Sequence, residues 1–233
     1  RSFFAASAVT DNLLFAHVRS YRLIHDIYKK NGFGLPFISV AKNMQAFEPC
    51  RDIFKDKLAA YLRSRSFNFR FIERARRRKA LDFIGINYYS RSLVEVGKWS
   101  IDSLINDTCQ KGHKPLKKNS LGWDIYPEGL YKLLLRLKKF RLPVFILENG
   151  FCGQDDALRW EYIKKHLENI HLAISGGVNI IGYLYWSLMD NFEWDKGFGH
   201  RFGLVRVDYL DQKRAPRESA GKFAAVCLRG QLE

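Results

Sequence analysis

Apolar positions along the chain switch between helical spacing and short, almost continuous runs. Residues 11–28, DNLLFAHVRSYRLIHDIY, place Leu14, Val18, Tyr21, Ile24 and Tyr28 on one face and predict a helix. Gly32, Gly34 and Pro36 end that pattern, and LPFISVA (35–41) reads as a short strand. A basic, helix-compatible stretch then precedes LDFIGINYYS (81–90), which is strand-like again. From Tyr126, YPEGLYKLLLRLKKF aligns Leu130, Leu133, Leu134 and Leu137, so a helix leads through Pro143 into the strand VFIL. Asp155 and Asp156 stand where acidic residues favour a helix start, ahead of a stripe of Trp160, Ile163, Leu167, Ile170 and Ile174 that stops at Gly176-Gly177. VNIIGYLYWSL (178–188) is nearly all apolar, as expected of a parallel strand buried on both faces. A last helix is expected from Pro216 through Val226.

Strand-like segments near 35–41, 82–90, 143–148 and 178–188, alternating with helices, predict an α/β fold of about four βα units. In a (β/α) barrel the chemistry sits at the C-terminal strand ends. Here those ends carry Asn87-Tyr88-Tyr89, Glu148-Asn149-Gly150, and Trp186-Ser187-Leu188 running on to Asp190-Asn191-Phe192-Glu193-Trp194. Indole faces stack on sugar C–H surfaces and carboxylates accept from neighbouring hydroxyls, so this rim suits a carbohydrate. NYY or ENG alone is ordinary strand and turn, whereas acidic residues crowded between two tryptophans in WSLMDNFEW are hard to place in a core. A bare Glu148 closing an apolar strand is costly to bury unless it is paired or used, and its use calls for a second carboxylate.

Composition narrows the classes. With 47% hydrophobic and 15% aromatic residues among 233, the chain can bury a sizeable core and is no disordered polymer. It has no apolar run of about twenty residues to span a membrane, and RSFFAASAVTDNLL lacks a secretory leader pattern, which makes the cytoplasm the default expectation. Cys50, Cys109, Cys152 and Cys227 form no CxxC pair, so neither a zinc site nor a disulfide framework is expected, and the thiols are read as reduced. A net charge of +15 and the run RSRSFNFRFIERARRRKA (63–80) raise a nucleic-acid partner, but charge runs are usually solvated faces and no nucleic-acid module is spelled out. An Asn106-Asp107-Thr108 sequon carries no weight without a secretory signal. The chain opens on Arg1 rather than methionine, which suggests a fragment.

FIGINYYS, FILENGF, DDALRWEYIKKHL, GYLYWSLMDNFEW and GFGHRFGLVRVDY follow one another in the order and spacing of the glycoside hydrolase family 1 β-glycosidases, which the chain resembles over almost its whole length. The resemblance implies a TIM (β/α)8 barrel, with residues 1–233 as a single partial domain carrying strands 5 to 8. It implies hydrolysis of unphosphorylated β-glucosides or β-galactosides with retention of configuration, with no cofactor and no metal. Matched residue by residue, Glu148 would be the nucleophile and Tyr89 the hydroxyl that hydrogen-bonds it, with Asn87 on the same strand end. Trp186 matches the indole platform beneath the sugar, Glu193 and Trp194 the pair that reads its hydroxyls, and Phe202 the aromatic closing the pocket. Arg159 and Asp208 are better read as structural ion-pair partners.

Three departures stand out. Leu147 replaces the threonine common before ENG, and Phe198 replaces a usual tyrosine. More seriously, the Asn-Glu-Pro motif that carries the family's general acid/base is absent. Glu48-Pro49 in AFEPC follows Phe47 rather than asparagine and lies after the fifth-strand equivalent, so it is read as a loop glutamate. Four βα units do not close a barrel of about eight strands, so the expected partners are a β-linked glycoside and the missing N-terminal half, with the chain alone inactive. Two alternatives remain: a non-catalytic truncated homologue that binds sugar or pairs through open edges, and a basic nucleic-acid binder.

Overall fold

The computed structural model describes residues 3–98, 100, 103, 109 and 116–232; the sequon at 106–108 lies outside the described residues. The chain runs α1 (Phe3–Asn31), β1 (Ala41–Pro49), α2 (Phe54–Ser64), a π turn (Arg65–Phe69), α3 (Arg70–Arg77), β2 (Ile84–Val94), α4 (Pro127–Leu137), β3 (Val144–Asn149), α5 (Asp156–Ser175), β4 (Ile180–Tyr185), β5 (Val205–Val207), β6 (Arg214–Pro216) and α6 (Glu218–Arg229). Strands β1 to β4 form one parallel sheet in sequence order, and β5 and β6 form a small antiparallel pair. One layer of helix packs on the sheet. Leu130, Leu133, Leu134 and Leu137 of α4 are buried against Ile84, Ile86, Val144 and Ile146, the strand residues that alternate toward that face.

The four strands appear in the expected order, with two shifts. LPFISVA is extended but not the strand proper; Ile38 and Asp82 exchange two hydrogen bonds, and the ladder begins at Ala41. Strand β1, AKNMQAFEP, was hidden because its inner face is polar; only Met44 and Ala46 are buried on the helix side. A bulge at Gln45 is clamped by buried Asn68 of the π turn, whose amide bonds both the N–H and the C=O of Gln45. Glu48 is therefore a strand residue, not a loop glutamate. It accepts from Lys132 Nζ at 2.8 Å and Tyr126 Oη at 3.1 Å, which binds β1 to α4. The second shift is at β4, where Ile181 and Leu184 are 44% and 51% exposed: the sheet ends there, so an apolar strand stands at its open edge.

Helix α5 also buries more than its predicted stripe. Ile163 and Ile170 are buried, but so are Arg159, Tyr162 and His166, while Ile174 is largely exposed. Arg159 pairs with Asp156 at 2.7 Å and donates to the carbonyls of Gly153 and Arg201; Asp156 in turn accepts from the N–H and hydroxyl of Ser219, fastening α6. Its structural reading holds. Asp208 instead caps a turn, accepting from Leu210 N–H at 3.0 Å. Half of the basic run is engaged internally: Arg70 and Arg74 reach Ser7 and Asp11 of α1, Arg76 the carbonyl of Phe140, and Arg63 that of Ser103.

The expectation of reduced thiols fails at one pair. Cys50 and Cys109, separated by 59 residues, form a disulfide with Cα atoms 5.9 Å apart; Cys152 and Cys227 are free. Spacing could not show this, because the pair meets only once β1 and β2 lie side by side. Among the described residues no helix is long and apolar enough to cross a membrane. A cavity of about 690 Å³ lies between α1, the outer edge of β1 and the α2–α3 segment, away from the strand ends that carry Glu148.

Burial holds the imidazole of His166 down at about 3, with Nδ1 bonded to the Tyr162 carbonyl at 2.7 Å. Below the ordinary value of 6.5 the unfolded chain binds a proton that the folded chain refuses until about pH 3, so stability falls as pH drops through that window. Denaturant titrations between about pH 7 and 5, above the carboxylate range, should show a loss of up to about 1.4 kcal/mol per pH unit. His166→Gln should flatten that slope.

Candidate active site

Strands β2 and β3 set Asn87 opposite Glu148, both half-buried, at the C-terminal edge of the sheet. Tyr89, two residues beyond Asn87 and on the same side of the strand, donates its hydroxyl to Glu148 Oε2 at 2.6 Å. Burial first, and then this bond to a carboxylate, push the Tyr89 hydroxyl far above the ordinary tyrosine range, so it stays a donor at any working pH. Phe202, buried, meets the Tyr89 ring edge-on at 6.1 Å, and Trp123 lies 5.7 Å from the same ring. Trp123 was missed by sequence reasoning. It sits in SLGWDI between β2 and α4, a stretch with no periodicity to draw attention to it.

The β4 end supplies the second group. Trp186 Nε1 donates to Glu193 Oε1 at 3.3 Å. Burial raises the Glu193 carboxyl above its ordinary range; the Trp186 bond opposes this and the charge of Glu148 adds to it, so the two carboxyls share one electrostatic environment. Trp194 is not gathered in; it opens a short turn with its indole 80% exposed. Asn87 Oδ1 is buried and accepts no hydrogen bond among the described residues, leaving an acceptor that a ligand hydroxyl would satisfy. Beside Tyr89 a cavity of about 350 Å³ is lined by Asn43, Gln45, Arg91, Trp123 and Asp124.

Local packing explains why the strand ends read as they do. A Cβ on Gly150 would stand 1.9 Å from the Trp186 carbonyl, so the turn after Glu148 admits only glycine there. Asn149 is fully buried and donates to the Tyr88 carbonyl at 2.7 Å and Tyr162 Oη at 2.8 Å while accepting from Tyr183 Oη at 2.9 Å. In the WSLMDN run, Asp190 is structural: it is buried and accepts from Gly203 N–H at 2.9 Å, Arg217 at 3.0 and 3.2 Å and Val207 N–H at 3.3 Å. Leu147 fills the space over Gly85, and Phe198 packs between Phe192 and Tyr209 at ring distances of 5.2 and 4.5 Å. Both departures from the expected pattern are thus packing residues.

The family pattern described as "Glycosyl hydrolase family 1" matches residues 72–230, which include every strand end described above except that of β1. The chain belongs to glycosyl hydrolase family 1. Among its family 1 relatives, a protein named beta-galactosidase from Sulfolobus acidocaldarius is 32% identical over 229 residues, covering 90% of this chain and 45% of its own length. Beta-glucosidase A from Thermotoga maritima is 31% identical, covering all of this chain and 58% of its own. A solved beta-glycosidase from Pyrococcus horikoshii superimposes with a TM-score of 0.87 at 34% identity, covering 100% of this chain and 56% of that one. The chain spans about half the length of these relatives, and its sheet is the C-terminal portion of a TIM barrel.

Gly150→Ala should cost about 3 kcal/mol or more in a denaturant titration, because the new methyl meets backbone that cannot yield. Gly221→Ala in α6, where a Cβ meets nothing within 4 Å, should instead be neutral or stabilise by up to about 1 kcal/mol.

Proposed function

We propose that this chain carries the nucleophile half of a retaining β-glycosidase acting on unphosphorylated β-glucosides or β-galactosides. The observation that carries the reading is the 2.6 Å hydrogen bond from Tyr89 to Glu148. A positioned carboxylate at a barrel strand end, beside an indole, an orphaned amide acceptor and a second carboxyl, is the donor set a retaining site needs on its nucleophile side. Glu148 attacks the anomeric carbon as the bond to the leaving oxygen breaks, giving a glycosyl ester; water then displaces the carboxylate. Tyr89 holds Oε2 and leaves the other oxygen to attack. Trp186 offers its face to the sugar while its N–H orients Glu193 to accept from sugar hydroxyls.

The leaving oxygen needs a proton. Glu48 is committed to Lys132 and Tyr126, and Glu193 is turned by Trp186 toward the sugar hydroxyls, so the reading assigns the general acid/base to residues outside 1–233, about 5 to 5.5 Å from Glu148. Without that group the chain alone should be slower by about a hundred- to ten-thousandfold. The relatives' names, beta-glucosidase and beta-galactosidase, support both sugar configurations as substrates. The internal pairing of Arg63, Arg70, Arg74 and Arg76 weighs against the nucleic-acid reading.

Assay on aryl β-glycosides, with the remaining barrel half present, tests the assignment. Glu148→Ala should abolish turnover, and activity retained in that variant would sink the nucleophile assignment. Tyr89→Phe should lower kcat by about ten- to a hundredfold, the worth of one hydrogen bond to a charged group, with little change in folding stability.

A further inference from the structure

The end of β1 and the segment after β2 carry a cluster that glycoside hydrolysis does not use. Cys50 is buried and donates its N–H to the Val94 carbonyl at 2.8 Å; Cys109 donates its own to the Leu93 carbonyl at 3.1 Å. Both cysteines are thus seated on the last residues of β2 by backbone bonds that do not depend on the disulfide. Glu95, the next residue of the chain, places Oε2 3.7 Å from Cys50 Sγ, and one ligand atom from each of Cys50, Glu95 and Cys109 falls within 4.8 Å of the others. The second carboxylate oxygen of Glu95 is held by Arg51 at 3.1 Å, and Arg51 is gripped by buried Asp56 at 2.8 and 3.0 Å.

We propose that reduction of the Cys50–Cys109 disulfide converts this cluster into a site for a thiophilic divalent cation of the zinc class, with two thiolates and the Glu95 carboxylate as ligands and water in the fourth position. The Cα separation of 5.9 Å serves both states. It lies inside the disulfide range of about 4.4–6.8 Å. Two thiolates on a tetrahedral zinc, each about 2.3 Å from the metal, sit about 3.8 Å apart, a spacing that turning the two Cα–Cβ bonds provides without moving the backbone. Arg51 orients the carboxylate from behind, as outer-shell partners do at metal sites. Charge comes within one unit of balance: two thiolates, Glu95 and Asp56 face one dication and one guanidinium.

The chemistry closes. The disulfide takes two electrons and two protons from a dithiol, which becomes a disulfide itself; the cation then displaces the two thiol protons to solvent. Either state ties Cys109 to the end of β1, by a covalent bond or by a shared ion. Cys109 also lines the cavity beside Tyr89, so this tie sets one wall of that cavity.

The test is metal uptake by the purified protein, reduced with a phosphine, freed of reductant without oxygen, and titrated separately with Zn²⁺ and Co²⁺. Reduced wild type should take up one equivalent more than the Cys50→Ser/Cys109→Ser double variant, with a thiolate-to-cobalt charge-transfer band that the variant lacks. Oxidised wild type should take up no more than the variant. Glu95→Gln keeps both cysteines and the side-chain shape and should weaken binding on the order of tenfold or more. Equal uptake by reduced and oxidised wild type, or wild-type affinity in Glu95→Gln, overturns the proposal, and both comparisons stand even if the double variant does not fold.

Discussion

Asn149 is buried where three strands and a helix meet, and the rim of the sheet inherits its position. Its amide donates to the β2 backbone at Tyr88 and to Tyr162 of α5, and accepts from Tyr183 of β4. A buried amide left partnerless costs about 1–3 kcal/mol, so these bonds lock the strand ends to one another. Glu148 precedes this residue and Gly150 follows it. Glu148 therefore stands on a peptide that cannot shift along the sheet, and the glycine lets the β4 backbone pass against it.

Polar groups committed to structure free others for chemistry. Arg159, Asp156 and Asp190 are engaged by partners in the loops and in α6, and so hold the segment after β4 against the sheet. Glu193 and Asn87 are left with unused capacity facing the rim, the first with its carboxyl raised by burial, the second with an unpartnered oxygen. That contrast, rather than the mere presence of acids and amides, separates scaffold from site. Elsewhere the balance runs the other way: Ile181 and Leu184 on β4, and Leu13 and Phe15 on α1, are apolar and exposed.

Helices and the three apolar strands were legible because their periods are set by residues facing one core: Leu130 to Leu137, Ile84 and Ile86, Val144 and Ile146. Strand β1 is hard to place from sequence because the side chains beside its buried Met44, Asn43 and Gln45, are polar and its bulge is held by Asn68 from a separate segment. Tyr89, Glu148, Phe202, Trp186 and Glu193 were named from motifs and do come together, whereas Trp194 turns outward. Trp123 and the buried Asp190 cluster carried no comparable signal, since each owes its place to contacts with residues far along the chain.

What the sequence by itself determined is the α/β order, the membership in family 1 and most of the rim residues, because local periodicity and ordered motifs are properties of neighbours in the chain. Only the tertiary structure decided that Glu48 pairs with Lys132 and Tyr126, that Cys50 meets Cys109, and that Asn149 ties β2, β3, β4 and α5 together. Those are encounters between distant segments. Their geometry follows from the register of parallel strands and the packing of a helix across them, which no local pattern encodes.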